Sequence, residues 1–330
     1  MVDIGTSVLF AGVSGSAAAD TAAVGSMLIP SMLKNGYPRG LAAVIQACAG
    51  SLGPIIPPSL TMIIYCSLTG LSIGECFMAG VIPGLIIGLG VAVVTYFYAR
   101  RLGIKGDERV LPGEADGNKR RDSGDYHAPY HHRRNRLRYF YSYGVRGNCC
   151  NLCLVIGMFV YKEFTYRELP RIFLKAASMT GMALLIVAGA SIFSWLVAYE
   201  KFPKMIITFL TGLTDNKYVI MMLLVLFLLF VGMFIETLSA TIICAPILMP
   251  VAAQYGIDPI QFALIMVITL VYAGVTPPVG GVLFITMGIA KAKMKEALTY
   301  LAPYLGIICI VILLLIFVPQ ISLLLPRLLF

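Results

Sequence analysis

Long apolar runs without a charged residue dominate the chain. Residues 76–99, 176–199, 218–235 and 237–257 carry no charge, the last two being separated by Glu236 alone. Longer runs of the same kind cover 40–74, 259–290 and 297–326. A helix needs roughly 20 apolar residues to cross a bilayer. Backbone groups in lipid must be satisfied within the segment, so each run reads as helix. The short alternating segments of a transmembrane barrel are not found. The pattern predicts an all-α integral membrane protein, a polytopic helical bundle.

Two parts of the pattern repeat at an offset of 220 residues. Pro30 pairs with Pro250, Pro57-Pro58 with Pro277-Pro278, and Pro83 with Pro303. A polar turn follows the first proline in each copy, at 34–38 and at 254–259. Charge then says how the copies relate. The first turn of copy one holds Lys34 and Arg39, and its later loop holds only Glu75. In copy two the first turn has Asp258, and the later loop has Lys291, Lys293 and Lys295. Cytoplasmic loops are enriched in Lys and Arg. Matching loops therefore fall on opposite sides, and the copies are expected to be inverted repeats.

Each copy carries two interruptions. The first is a polar tip, Gly12-Val13-Ser14-Gly15-Ser16-Ala17-Ala18-Ala19-Asp20-Thr21 in copy one. Its counterpart is Gly232-Met233-Phe234-Ile235-Glu236-Thr237-Leu238-Ser239-Ala240-Thr241. Apolar stretches about half a membrane long flank each tip, which predicts two re-entrant hairpins. The second is a run of helix breakers, Gly50-Ser51-Leu52-Gly53-Pro54-Ile55-Ile56-Pro57-Pro58-Ser59 and Ala273-Gly274-Val275-Thr276-Pro277-Pro278-Val279-Gly280-Gly281. Proline removes a backbone donor and clashes with the preceding turn. These runs predict two Pro-broken helices with freed carbonyls. Irregular backbone at membrane depth is tolerated only where it is buried or lines a cavity. Carbonyls and half-helix ends suit a sodium ion and an anion. Intramembrane carboxylates are functional candidates, and Asp20 and Glu236 are the two best. Both features have plainer readings: paired prolines also kink packed helices, and Asp20 also reads as an ordinary N-cap.

Composition agrees with the pattern. Of 330 residues, 59% are hydrophobic and 12% charged, against about 25% charged in a soluble domain. The start, Met1-Val2-Asp3, has no basic region of the kind that opens a signal peptide. Most of the eight cysteines lie in apolar runs and read as small buried hydrophobes. An intramembrane enzyme would need a paired nucleophile and base or a metal motif. The spans hold no His, and His-Glu-x-x-His does not occur.

The 12–21 and 54–59 stretches resemble the large membrane subunit of tripartite ATP-independent periplasmic (TRAP) transporters, the DctM-like permease. So do Ala245-Pro246-Ile247-Leu248-Met249-Pro250, Thr276-Pro277-Pro278-Val279-Gly280 and Tyr161-Lys162-Glu163-Phe164-Thr165-Tyr166-Arg167-Glu168-Leu169-Pro170. The resemblance covers 5–110 and 154–326. It implies an elevator-type transporter fold in the bacterial inner membrane. It also implies a small membrane subunit and a periplasmic solute-binding protein as partners. The cargo would be an organic acid anion such as a C4-dicarboxylate or a sugar acid, with a sodium gradient driving import. No cofactor is expected beyond sodium as coupling ion. Carried onto this chain, the solute and ion site falls on Ser14, Gly15, Ser16 and Asp20, and on Glu236, Thr237, Ser239 and Thr241. From the breaks come Gly53, Pro57, Pro58 and Ser59, then Gly274, Thr276, Pro277, Pro278 and Gly280. The alternatives are a stand-alone citrate-type exchanger or an inert remnant.

Two departures qualify the match. The family has further N-terminal helices before the first hairpin, so the chain reads as N-terminally truncated. Residues 116–153 do not resemble the family. They hold His127, His131, His132 and eight Lys or Arg against three acids, a local +5 of the formal +9. That charge is local and reads as a solvated basic loop, not as a nucleic-acid surface. With Cys149, Cys150 and Cys153, the histidines fit no standard metal spacing. Two compensating changes of reading frame, near residue 115 and near residue 153, would explain the stretch. The residues 139–144 can be encoded TAT TTT TAC TCC TAC GGA, followed by the G of Val145. One base later the frame reads Ile-Phe-Thr-Pro-Thr-Glu, the motif the family carries here. The expected division is 1–110 first repeat, 111–153 anomalous stretch, 154–215 connecting spans and 216–330 second repeat.

Overall fold

In the computed structural model, residues 2–104 and 216–329 are described, with positions 168–171, 173, 174, 177, 181 and 199 between them. The expected span at 176–199 and the basic stretch at 116–153 lie outside the described residues, apart from positions 177, 181 and 199. Two compact units divide the chain. One joins residues 1–106 to 186–330, and the other is 107–185.

Five described helices lie within residues 2–104. They are α1 (Val2–Ser14), α2 (Ala17–Lys34), α3 (Arg39–Gly50), α4 (Leu60–Thr69) and α5 (Ile73–Arg101). Six lie within residues 216–329: α6 (Lys217–Phe234), α7 (Thr237–Gln254), α8 (Pro259–Ala273), α9 (Gly281–Ala290), α10 (Met294–Phe317) and α11 (Gln320–Leu329). All of these belong to the first unit. The described residues contain no strand. Helices α5, α6, α7 and α10 are long and apolar enough to cross a membrane.

Local chemistry sets the helix starts. Ser59 accepts from the Met62 amide to open α4, and Ser72 from Glu75 to open α5. Asn216 accepts from Tyr218 for α6, and Asp258 from Ile260 and Gln261 for α8, with Pro259 at the first helical position. These side-chain oxygens satisfy donors that a helix start leaves unpaired. The 220-residue repeat is visible in the elements: α2 and α7 coincide under the offset at both ends, as do the starts of α3 and α8. Gly36 and Gly256, also 220 apart, take positive φ of 85° and 66° in the matching turns. An L side chain is disfavoured there, so glycine lets the polar turn close. Pro57-Pro58 and Pro277-Pro278 are both cis.

The paired prolines do more than kink. Non-helical backbone runs from Ser51 to Ser59 between α3 and α4, and from Gly274 to Gly280 between α8 and α9. The first halves, α3 and α8, form the centre. Every residue of α3 except Arg39 is buried, as is every residue of α8 beyond Ile260. Between them the Tyr272 hydroxyl donates to the Cys48 carbonyl across 3.3 Å. Long apolar side chains face outward on the spans, as at Leu85, Leu89 and Val93 of α5 and Leu226, Phe230 and Phe234 of α6. Spaced by four residues, they line one face of each helix, as lipid requires.

Packing between the copies is an exchange. Helix α2 packs on α9 and α7 on α4; α3 packs on α10 and α8 on α5. Such reciprocal pairing is what a two-fold relation produces. Close contacts show the same exchange at the two ends. Gly40, in the first turn of α3, lies against the Glu296 backbone in the first turn of α10. Their equivalents under the offset, Ile260 and Cys76, line one small pocket.

The loop charges sort accordingly. Arg39 donates to the Lys291 carbonyl, which joins the basic turn of copy one to the basic loop of copy two. Tyr98 packs edge-on to Tyr300, so Arg100 and Arg101 end α5 near the start of α10. Glu75 and Asp258 lie at the other end, beside the small pocket that Cys76 and Ile260 line together. One lysine, Lys217, lies at that end through the stacking of Tyr218 on Phe317. Among the described residues, Arg39, Arg100, Arg101 and the lysines at 291–295 thus gather at one end of the unit, the arrangement that inverted copies require.

The hairpin arms differ from the half-membrane length expected. Helices α6 and α7 have 18 residues each, or about 27 Å at 1.5 Å per residue. Helix α7 runs through Pro246 and Pro250 without ending.

Candidate functional site

Both hairpin tips and both breaks open on one cleft of about 340 Å³. Tip one contributes Gly15, Ser16, Ala17 and Ala18; tip two contributes Gly232 to Leu238. Break one adds Pro54, Leu60 and Thr61, and break two adds Gly274, Val279, Gly281, Val282 and Ile285. Segments more than 200 residues apart in sequence are thereby joined at one place.

The lining is ordered by helix ends. The first residues of α2, α4, α7 and α9 all face the cleft. A helix N-terminus carries unpaired amides and roughly half a positive charge, which favours an anion. The C-terminal end of α6 and the cap residue of α8, Gly274, lie there too. Those ends present carbonyl oxygen and the opposite partial charge, the ligand type of sodium. Among the described residues, Glu236 is the one ionisable side chain in the lining.

Five of the expected residues line the cleft: Gly15, Ser16, Glu236, Thr237 and Gly274. The Ser14 side chain lies outside the described residues. Gly53, Pro57, Pro58, Ser59, Asp20, Ser239, Thr241, Thr276, Pro277, Pro278 and Gly280 stand behind the surface or beside it. Asp20 is not the N-cap of α2, because Ser16 holds that position. Asp20 lies one turn further on, fully buried, and a Cβ at Gly53 would overlap its carboxylate. It joins hairpin one to break one. Thr21 packs equally closely on Gly50. At the tip, the Leu60 amide donates to the Gly15 carbonyl across 3.3 Å. Gly15 has φ of 66° and leaves no room for a side chain against the Pro58 carbonyl.

Glu236 is the N-cap of α7. One of its oxygens accepts from the Leu238 and Ser239 amides at 2.9 and 3.2 Å. Its charge is therefore partly offset by the helix it opens. Thr237 donates to the Leu270 carbonyl of α8 at 3.5 Å, and Thr241 to the Thr237 carbonyl at 2.8 Å. These contacts fix tip two against the end of α8.

The breaks leave fewer carbonyls open than expected. The Ser59 hydroxyl donates to Pro54, and the Thr276 hydroxyl to Tyr272 at 2.9 Å. The Gly274 carbonyl accepts from the Val282 amide at 3.1 Å, folding break two back on α9. A hydroxyl that donates to a carbonyl keeps lone pairs for another ligand. Thr276 keeps that capacity beside the cleft. Choosing polar side chains overlooked the backbone amides at the starts of α4 and α9. A signal for them stands in the sequence, since α4 begins two residues after Pro58 and α9 three residues after Pro278.

Comparison with known proteins bears on this geometry. Residues 1–321 match the family described as tripartite ATP-independent periplasmic transporter, DctM component. The chain is 33% identical to the isethionate TRAP transporter permease protein DctMQ of Oleidesulfovibrio alaskensis, over 97% of this chain and 51% of that protein. It is 32% identical to the C4-dicarboxylate TRAP transporter large permease protein DctM of Pseudomonas aeruginosa, over 97% of this chain and 75% of the relative. With the sialic acid TRAP transporter large permease protein SiaM of Vibrio cholerae the identity is 31%, over 99% and 77%. The chain thus spans about half the length of the first relative and about three quarters of the other two. The family is one of transporters, not enzymes, and its apolar helices make this a multi-pass inner-membrane protein. The chain belongs to the DctM component family of TRAP transporters, the large permease subunits.

Proposed function

We propose that the cleft between the hairpins receives an organic acid anion together with sodium, and that the chain carries both across the inner membrane. The supporting observation is the meeting of four helix N-termini at a cleft whose lining, among the described residues, holds no Lys or Arg. Fixed dipoles there favour an anion without a buried cation whose desolvation must be compensated. The carbonyl-bearing helix ends and the Thr276 hydroxyl beside them suit a sodium ion. The relatives' names include isethionate, C4-dicarboxylate and sialic acid, all organic acids, and the same class is the proposed cargo here. A small membrane subunit and a periplasmic solute-binding protein are the proposed partners, by membership of the family.

The test is uptake into proteoliposomes. The chain would be reconstituted with a small TRAP subunit and a solute-binding protein from the same organism, and offered a panel of radiolabelled organic acids. Accumulation driven by an inward sodium gradient, and absent when potassium replaces sodium, is the expected result. Equal uptake in both salts would overturn the sodium reading. Uptake without the binding protein would favour a stand-alone exchanger. If this chain is inactive while a version with the frame of 116–153 restored transports, the chain is an inert product of its gene.

A further inference from the structure

Cys66 and Cys76 lie at the end of the first unit opposite Lys291, Lys293 and Lys295. Cys66 lies in the last turn of α4 and Cys76 in the first turn of α5. The Cys66 thiol donates to the Ser72 carbonyl at 3.9 Å, and the Cys76 amide donates to the same carbonyl at 3.1 Å. Both cysteines are free thiols in the structure and line the same small pocket. Both are buried in a small apolar pocket that α8 closes with Ile260, Ala263, Leu264 and Val267.

Orientation gives the pair its meaning. Helix α5 runs from Glu75, at this end, to Arg100 and Arg101 at the other. Arg39, Lys291, Lys293 and Lys295 gather at that other end. The positive-inside rule turns the lysine end to the cytoplasm. The cysteines then face the bacterial periplasm, where disulfides form and persist. We propose that Cys66 and Cys76 form a disulfide in the mature protein, tying the second half of the first broken helix to the span that follows it. The bond depends on the orientation of the chain and not on the transport reading.

The chemistry needs a disulfide donor of the cell envelope. One cysteine thiolate attacks the donor disulfide, forming a mixed disulfide and releasing one donor thiol. The second cysteine attacks the mixed disulfide and releases the other. Two protein thiols become one disulfide, and the donor leaves as a dithiol. Order along the chain supplies access. The cysteines are ten residues apart and emerge together, whereas the residues that seal the pocket begin at Ile260. Once α8 packs, the bond is shielded from reductants.

The experiment uses full-length protein taken from membranes into denaturant with N-ethylmaleimide and no reductant. Cleavage after Glu75 separates the two cysteines, so only a disulfide holds their peptides together. Mass spectrometry is expected to find the linked pair, released by dithiothreitol, in most of the protein. Cys66→Ser is expected to leave Cys76 alkylated, and Cys76→Ser to leave Cys66 alkylated. Finding both thiols alkylated in the unreduced wild-type protein overturns the proposal. Labelling at a substituted Lys295→Cys, from one side of the membrane only, separates a wrong orientation from a pair that stays reduced in the periplasm. Either result counts against the disulfide, whatever the uptake assay shows.

Discussion

Gly53 and Glu236 show what single residues do here. A Cβ at Gly53 would overlap the Asp20 carboxylate, so hairpin one depends on that glycine to sit against its break. Gly53→Ala is expected to cost about 1–3 kcal/mol, as overpacking does, and to lower the thermal midpoint in detergent. Gly288→Ala is the control. Nothing lies within 4 Å of Cβ there, and it should stabilise its helix by about 0.5–1 kcal/mol. Equal midpoints for the two variants would contradict the contact. Glu236 caps α7 with its side chain. Glu236→Ala should cost about 1 kcal/mol through the lost cap, while Glu236→Gln keeps an acceptor and most of the stability. If Gln proves as damaging as Ala, the charge matters and the cap does not. Thr276→Val removes a hydroxyl that donates to Tyr272 and sits beside the cleft. The sodium concentration for half-maximal uptake should rise, and an unchanged sodium curve would remove Thr276 from the ion's shell. Sequence singled out Glu236 as an acid in an apolar run, and the structure places it in the cleft lining. Its capping role needed the structure, because it depends on where α7 begins. Asp20 shows the reverse: its position four residues past Ser16 excludes the capping reading, and only the packing of Gly53 explains its burial.

At the scale of elements, the prolines carried the most information. Pro57-Pro58 and Pro277-Pro278 lie in the non-helical breaks, and the offset of 220 that links them also superposes α2 on α7. Pro246 and Pro250 carry less, since α7 continues through both. A proline's effect depends on whether neighbours satisfy the carbonyl it frees, and the sequence does not display neighbours. Arm lengths were hidden for a related reason. The polar tip marks a turn but not the depth at which it sits. The starts of α4 and α9 reach the cleft because the two copies exchange partners, a pairing that the sequence does not display. Ser59 tests that junction. Ser59→Ala removes the cap of α4 and its bond to Pro54. The expected loss is about 1 kcal/mol for the cap, together with weaker binding at the cleft. A cap lost without any change in binding would detach the start of α4 from the site.

For the whole molecule, charge says more than hydropathy. Apolar runs predict helices in lipid, while the sorting of Arg39, Lys291 and Lys293 from Glu75 and Asp258 relates the two copies. A membrane-impermeant maleimide checks this directly. Glu75→Cys should label in intact cells, and Lys295→Cys only after permeabilisation. Labelling of both from one side would contradict the inverted arrangement. The basic stretch at 116–153 is a separate matter of the gene. The proposal that its frame is shifted is checked by reading the DNA there. An alternative frame encoding Ile-Phe-Thr-Pro-Thr-Glu is expected, and codons that offer none would end the idea. The central claim is that the cleft between the hairpins binds sodium and an anion, and Val279 gives access to it. Val279 is 44% exposed, lines the cleft and caps nothing. The rate of maleimide labelling at Val279→Cys, measured in sodium and in potassium chloride, tests the claim most directly. Slower labelling in sodium, slower still with the transported acid, is predicted, with no such change at Lys295→Cys. Equal rates at Val279→Cys in both salts and with the acid would contradict it.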